Sequence, residues 1–236
     1  MSSSDGDNNS FRYERKFNLG SISSFQAESL VKANPALFSE CYPGRNINNI
    51  YLDSIDAMAY TDNVEGLSKR TKIRVRWYGD LFAHVARPVL ELKIKEGSVG
   101  EKKRCVLSPF SVDGEIYNTI QERLQGVQGL TPDELQSIEQ SRPVIMNRYF
   151  RKYYLSADGD FRLTLDYKLQ FFAINRFENL FLRSSKCDDV IMELKYDTVM
   201  DDKIHEITAH LGHRLTKSSK YVTGYRYVVG EGVMEI

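Results

Sequence analysis

From Lys72 to Trp77 the chain alternates strictly, with Lys72, Arg74 and Arg76 on one side of an extended backbone and Ile73, Val75 and Trp77 on the other. A strand of this kind has one apolar face and one purely cationic face, whereas an ordinary half-buried strand shows mixed polar residues to water. Two like charges 4–6 Å apart at an effective dielectric near 20 repel by roughly 3–4 kcal/mol. The cationic face therefore needs carboxylates or a bound anion opposite it.

Further strands repeat the pattern. Arg12, Glu14, Lys16 and Asn18 share a face against Tyr13, Phe17 and Leu19; Glu91, Lys93 and Lys95 share one against Leu90, Leu92 and Ile94. A turn over Gly97–Gly100 leads into a return strand over 102–107. In 146–154, Arg148 and Lys152 alternate with Tyr149, Arg151 and Tyr153. After an Asp158-Gly159 turn, Arg162, Thr164, Asp166 and Lys168 share a face, and Glu193-Leu194-Lys195 repeats the Glu-x-Lys form of Glu91 and Lys93. Further strands are expected over 47–53 and 225–229. Helices are expected over 23–32, 113–124, 132–140 (Thr131 as cap, Pro132 first) and 202–213, and 57–65 reads as a turn or a helical crossover.

On the polar faces a minority of carboxylates meets a majority of bases, and two geometries satisfy this. The charged faces are the solvated outside of a sandwich, or the sheet closes into a barrel with charges inside and helices covering its apolar outside. A charged interior demands a strongly anionic ligand, for which Arg offers bidentate forks and Lys adjustable point charges. The formal net charge is +0, so no global field draws nucleic acid or an anionic membrane, and neither is expected as a partner. The three cysteines, Cys41, Cys105 and Cys187, are widely spaced and read as reduced thiols of a cytoplasmic protein. No apolar run reaches membrane-spanning length, so membrane insertion by this chain is not expected. Residues 1–10 read as a disordered tail and 11–236 as a single domain.

The segments Lys72–Gly79, Glu91-Leu92-Lys93, Asn147-Arg148-Tyr149, Phe161–Asp166, Met192–Tyr196 and Lys217–Tyr221, in this order, resemble the polyphosphate polymerase (VTC, vacuolar transporter chaperone) domain of the CYTH or triphosphate tunnel metalloenzyme superfamily. The resemblance covers about Phe11 to Arg226. It implies an α+β fold: a closed eight-stranded antiparallel tunnel with a charged interior and helices outside. It also implies metal-dependent transfer of the ATP γ-phosphate to a growing polyphosphate chain with release of ADP, and a requirement for Mn²⁺ or Mg²⁺. By position, Arg74 and Arg76 take the nucleotide phosphates, joined by Lys16, Lys93, Arg148 and Arg162. Lys217 and Lys220 close the phosphate end, Glu193 holds the metal, and Glu14 stands beside it as a second candidate ligand. The second cation after Lys93 is Lys102 or Lys103. The same charges serve a tripolyphosphatase, a nucleoside triphosphatase or a non-catalytic polyphosphate-binding module. The sensor domain and membrane helices of the eukaryotic complexes have no counterpart in this sequence.

Other groupings carry less. His205, His210 and His213 read as helix surface, since spacings of five and three leave His205 off the face of the other two. Asp166 reads as a partner of a tunnel cation, and Trp77, Tyr149 and Tyr167 as core. There is no G-x-x-x-x-G-K-[ST] loop, so phosphate binding of that kind is excluded.

Overall fold

In a computed structural model of the chain, residues 12–96, 99–176 and 184–230 are described. The expected tail 1–10 and the centre of the turn after Glu96 lie outside the described residues. The elements are β1 (Arg12–Asn18), α1 (Ser24–Lys32), β2 (Ser39–Asp53), α2 (Met58–Glu65), β3 (Lys69–Tyr78), β4 (His84–Val85), β5 (Val89–Glu96), β6 (Val99–Val106), β7 (Phe110–Ser111), α3 (Ile116–Leu124), α4 (Pro132–Glu139), β8 (Arg142–Leu155), β9 (Phe161–Ala173), β10 (Ser184–Cys187), β11 (Ile191–Asp197), α5 (Ile204–Thr208) and α6 (Lys220–Tyr225). No helix among the described residues is long and apolar enough to cross a membrane.

The fold is α+β and rich in antiparallel sheet. Nine strands join in the order β1-β11-β9-β8-β2-β3-β5-β6, with β10 on β9, and β4 pairs with β7 apart. Among the described residues the hydrogen-bonded order has two ends, at β1 and β6, and includes a ninth strand, so the expected closure of eight strands on themselves is not shown by the pairing. That ninth strand, β10, has four residues, too few for a two-residue period to register in sequence.

Contacts divide the chain into two compact units, each assembled from separate stretches. One comprises the residues up to Gly44, Arg151–Tyr167 and Asp188–Lys217; the other comprises Arg45–Phe150, Lys168–Cys187 and the residues from Ser218. In the second unit Ile73, Val75 and Trp77 of β3 and Leu90 and Leu92 of β5 pack against Ile116, Ile120 and Leu124 of α3 and Ile138 of α4. The helix positions are set by sequence: Thr131 caps α4 in a capping box with Glu134, and Pro132 stands at its start. The centre of the polar face is also withdrawn from water, with Arg76 8% and Glu91 4% exposed, whereas Lys93, Lys102 and Arg104 at its margin are exposed. Buried charge on one face and helices on the other exclude the solvated-outer-face geometry for the centre of these strands.

In the first unit β11 lies between β1 and β9, with Lys16 opposite Glu193 and Glu193 opposite Thr164. Phe17, Met192, Leu194, Leu163 and Leu165, on the other face, are buried.

Local expectations fail where aromatic residues mimic a strand. The segment expected as a strand over 225–229 is helical: α6 runs to Tyr225 and a π turn covers Arg226–Gly230. Tyr221 and Tyr225 fall four residues apart on one helix face, stacking on Tyr51 and Tyr60 with ring centroids 5.2 and 4.2 Å apart. Burial of that aromatic face outweighs the β propensity of the segment. The helix expected over 202–213 is broken into a 3-10 turn (Thr198–Lys203), α5 and a second 3-10 turn (Ala209–Leu211). Residues 58–65 are helix α2, and the strand expected from 47 begins at Ser39.

Gly224 is what lets α6 seat. A Cβ there would lie 2.5 and 2.9 Å from Phe171 and 2.7 Å from Ile145. Gly224→Ala is therefore expected to destabilise the protein by about 1–3 kcal/mol through overpacking, despite the better helix propensity of alanine. A thermal melt showing an unchanged or raised Tm would contradict this packing.

Candidate functional site

The second unit gathers positive charge around one carboxylate. Tyr51, Arg74, Glu91 and Arg104 stand in register across β2, β3, β5 and β6. Arg74 Nη2 lies 2.6 Å and Arg76 Nη1 3.6 Å from Glu91 Oε2; Lys102 Nζ lies 2.9 Å and Arg104 Nε 3.3 Å from Oε1. Four cations thus share one carboxylate, an excess of three positive charges within the cluster. The neighbouring register row is Lys72, Lys93 and Lys102, lysine opposite lysine twice. Like charges directly opposite destabilise a sheet.

The ionisation states follow from this crowding. Burial opposes the charge on Glu91, but Arg74, Arg76 and Lys102 hold its pKa far below the usual carboxylate range. Burial likewise works against the Arg74 guanidinium and is outweighed by Tyr51 and Glu91. Burial lowers the Lys102 amine to about 8, with Arg104 and Arg74 adding to the effect and Glu91 opposing it.

Arg76 is held by a polar chain rather than by charge alone. Its Nε donates to Asn49 Oδ1 at 2.8 Å and its Nη2 to the Tyr149 hydroxyl at 3.2 Å. Because the guanidinium has only donors, Asn49 turns its oxygen toward it and its Nδ2 toward Asn147 Oδ1, 2.8 Å away. Lys220, the first residue of α6, sits with its Nζ 4.7 Å from the centre of the Tyr149 ring. Lys72 Nζ donates to the Ser219 hydroxyl at 2.9 Å. Asp53 anchors this helix: it accepts from the Tyr221 hydroxyl and, at 2.8 and 2.9 Å, from the backbone N–H groups of Ala59 and Tyr60.

The first unit carries a different arrangement, a ring of alternating charge on β1 and β11. Lys16 Nζ lies 2.7 Å from Glu14 Oε1 and 3.7 Å from Glu193 Oε2. Lys195 Nζ lies 2.7 Å from Glu193 Oε1 and 3.7 Å from Glu14 Oε2. Burial opposes ionisation of Glu193, but Lys195, Arg151 and Lys16 hold its pKa well below the usual range. Arg151 grips Asp166 through two hydrogen bonds of 2.5 and 2.7 Å. The Thr164 hydroxyl, on the strand position opposite Glu193, is buried without a hydrogen-bond partner.

The residues named from sequence divide as follows. Arg74, Arg76, Lys93 and Lys220 fall in the second unit's cationic face or beside it, and Lys102 rather than Lys103 faces Glu91; Lys103 pairs with Glu134 of α4 at 2.8 Å. Lys16, Glu14 and Glu193 form the ring, with exposed Arg162 in register opposite Lys195. Lys217 is exposed, just after a backbone bond of 2.8 Å from Thr216 N to the Lys16 carbonyl. Arg148 lies, by strand alternation, on the opposite side of β8 from Asn147 and Tyr149, away from the Arg76 chain. Sequence reasoning placed Lys195 on a polar strand face without a site role, and it assigned none to Arg151, Asp53 or the Asn49–Asn147 pair. Arg151 had a signal, since Asp166 needed a cation and Arg151 was the nearest unassigned arginine on the facing strand.

Removing the shared counter-charge tests the crowding directly. Glu91→Gln should cost about 3 kcal/mol or more, because four cations lose their one carboxylate, and added tripolyphosphate should restore much of the loss. An unaltered melt without anion would show that these cations do not depend on Glu91.

Comparisons agree with the geometry. No curated protein matches the sequence. The chain is similar in structure to a candidate adenylate cyclase from Bacillus halodurans, with a TM-score of 0.51 and 15% identity over 89% of this chain and 95% of that one. A candidate adenylyl cyclase from Hippeastrum, described with a dominant triphosphatase activity, gives a TM-score of 0.47 and 15% identity over 89% and 93%. At such identities the Bacillus likeness speaks for the fold alone. The VTC domain family is matched from residue 12 to residue 229, nearly the whole chain, with the Arg74–Glu91 cluster and the Glu14–Lys195 ring inside the match. This chain belongs to the VTC domain family.

Proposed function

We propose that this chain is an enzyme of phosphoryl transfer on triphosphates, and more specifically that it moves the γ-phosphate of ATP to the end of a polyphosphate chain and releases ADP. The observation that carries the reading is the cluster of four cations on one buried carboxylate, Glu91, with a row of opposed lysines beside it. A polyanion supplies negative charge that matches that face, and family membership supports phosphates as its source.

The chemistry assigns parts to each cluster on its own terms. Arg74, with Lys93, Lys102 and Lys220, takes phosphate oxygens; Arg76, already committed to Asn49 and Tyr149, holds the frame and adds charge. Lys16, Arg162 and Lys217 are assigned to the chain-like anion on the first unit's charge. Among the described residues no three His, Cys, Asp or Glu side chains converge as a metal set. Glu193 and Glu14 nevertheless fit Mg²⁺ or Mn²⁺ in the manner usual at phosphate sites, where the protein supplies one or two carboxylates and the substrate and water supply the rest. When bound, such an ion neutralises charge developing on the phosphate oxygens. Transfer breaks the bond from the γ-phosphorus to its bridging oxygen, whose electron pair leaves on ADP, and forms a bond to a terminal oxygen of the chain.

The state of the carboxylates favours this acceptor over water. A terminal phosphate oxygen is already ionised and surrenders no proton, whereas attack by water needs a base. Glu91 and Glu193 have pKa values pressed far down by their cations and make weak bases. The Lys102 amine, at about 8, is raised and protonated once a polyanion lies beside it. Hydrolysis of tripolyphosphate or nucleoside triphosphates is the second reading, and a non-catalytic polyphosphate binder the third.

Incubation with ATP and Mn²⁺ separates the three. The reading expects long polymer and ADP; free phosphate without polymer would make the chain a hydrolase, and binding without turnover a module. Arg74→Ala should lower turnover about tenfold to a hundredfold, the loss of one charge-assisted bond of roughly 1.5–3 kcal/mol, and unchanged activity would remove β3 from the site. The pH dependence has a definite sign. Below pH 8 Lys102 is protonated with or without ligand; between about 8 and its ordinary value near 10.4 binding takes up a proton, so affinity should fall as pH rises. Calorimetry at pH 8.5–9 in buffers of different ionisation heat should show this uptake, and Lys102→Met should abolish it.

A further inference from the structure

The ring on β1 and β11 is closed to a divalent ion as it stands. Glu14 and Glu193 present four carboxylate oxygens, and each lies 2.7 or 3.7 Å from the ammonium of Lys16 or Lys195. Two carboxylates and two ammonium groups sum to no charge, so a dication added to the intact ring meets no net attraction. It enters by displacing an ammonium group, and a second anion that takes up the displaced ammonium group favours the exchange over its release to water alone. A phosphate is such an anion. The Thr164 hydroxyl, buried without a hydrogen-bond partner on the position facing Glu193, leaves a polar oxygen beside the carboxylate for an incoming group.

We infer that Lys195 is a positioning residue that, with Lys16, holds Glu14 and Glu193 closed against divalent ions until a phosphate chain draws the lysines away. The inference rests on the phosphoryl-transfer reading above and extends it to the order of binding. Metal and phosphate then bind cooperatively, because each removes what blocks the other. Ion binding without substrate is weak, so the free enzyme does not hold a charged metal site ready for water. Lys195, 42% exposed at its side chain, has room to swing aside.

The test is equilibrium binding of Mn²⁺, followed by its paramagnetic resonance signal, with and without tripolyphosphate. Wild-type protein should bind Mn²⁺ weakly alone and at least tenfold more tightly with tripolyphosphate present. Lys195→Met removes one competing ammonium group and should tighten binding of Mn²⁺ alone about tenfold, while shrinking the gain from tripolyphosphate. Lys195→Arg keeps the charge and should not tighten it, and Glu193→Gln should weaken binding in both conditions. Equal Mn²⁺ affinity in wild type and Lys195→Met, with tripolyphosphate still enhancing both, overturns the gating role and leaves the phosphoryl-transfer reading intact. Absence of protein-bound Mn²⁺ in every variant, even with tripolyphosphate, overturns both.

Discussion

Everything in the second unit turns on one buried carboxylate that cannot balance the charge around it. Glu91 is 4% exposed and answers to Arg74, Arg76, Lys102 and Arg104. Pairing explains why the centre of the face folds at all, since Arg74 and Arg76 gain a buried partner, while Lys102 and Arg104 reach it from the exposed rim. Imbalance is what the proposed function rests on, since four cations meet one carboxylate. The surrounding structure serves that imbalance. The α3 and α4 helices cover the apolar side of β3 and β5, which leaves the charged side for a ligand. Asn49, Asn147 and Tyr149 fix Arg76 without adding a negative charge that would consume it.

The first unit solves the same problem in the opposite way. Its ring has as many carboxylates as lysines, so the charges of these four groups balance. The proposed gating uses that balance, passing the carboxylates from ammonium groups to a metal as the ammonium groups pass to phosphate. Neither unit resembles a P-loop, where backbone N–H groups do the holding.

Much of this was legible in the alternation of β3, β5 and β11, because a two-residue period with charge on one face dictates both the strand and the need for an anion. The Glu91 and Glu193 positions were readable for the same reason. The β8 strand was harder: Arg148, Arg151 and Lys152 put cations on both of its faces, so the period could not choose between them. The choice is made by Asp166, which is fully buried and takes Arg151 with both oxygens. The pairings of Asp53, Asn49 and Asn147 carry no local signal, because their partners Tyr221, Arg76 and Asn49 are distant in sequence. The last helix was hidden because Tyr, Val and Thr favour strands locally, whereas packing of Tyr221 and Tyr225 on Tyr51 and Tyr60 decides otherwise.

Around Glu91 positive charge is held in excess, which is the basis for proposing a polyphosphate chain as ligand. Calorimetric titration of the protein with inorganic tripolyphosphate across a range of salt concentrations tests it most directly. The account predicts saturable binding whose affinity drops steeply with added salt, by roughly a factor of ten or more between 50 and 200 mM, as expected when several charges are neutralised together. Binding that is absent at low salt, or indifferent to salt, would contradict it.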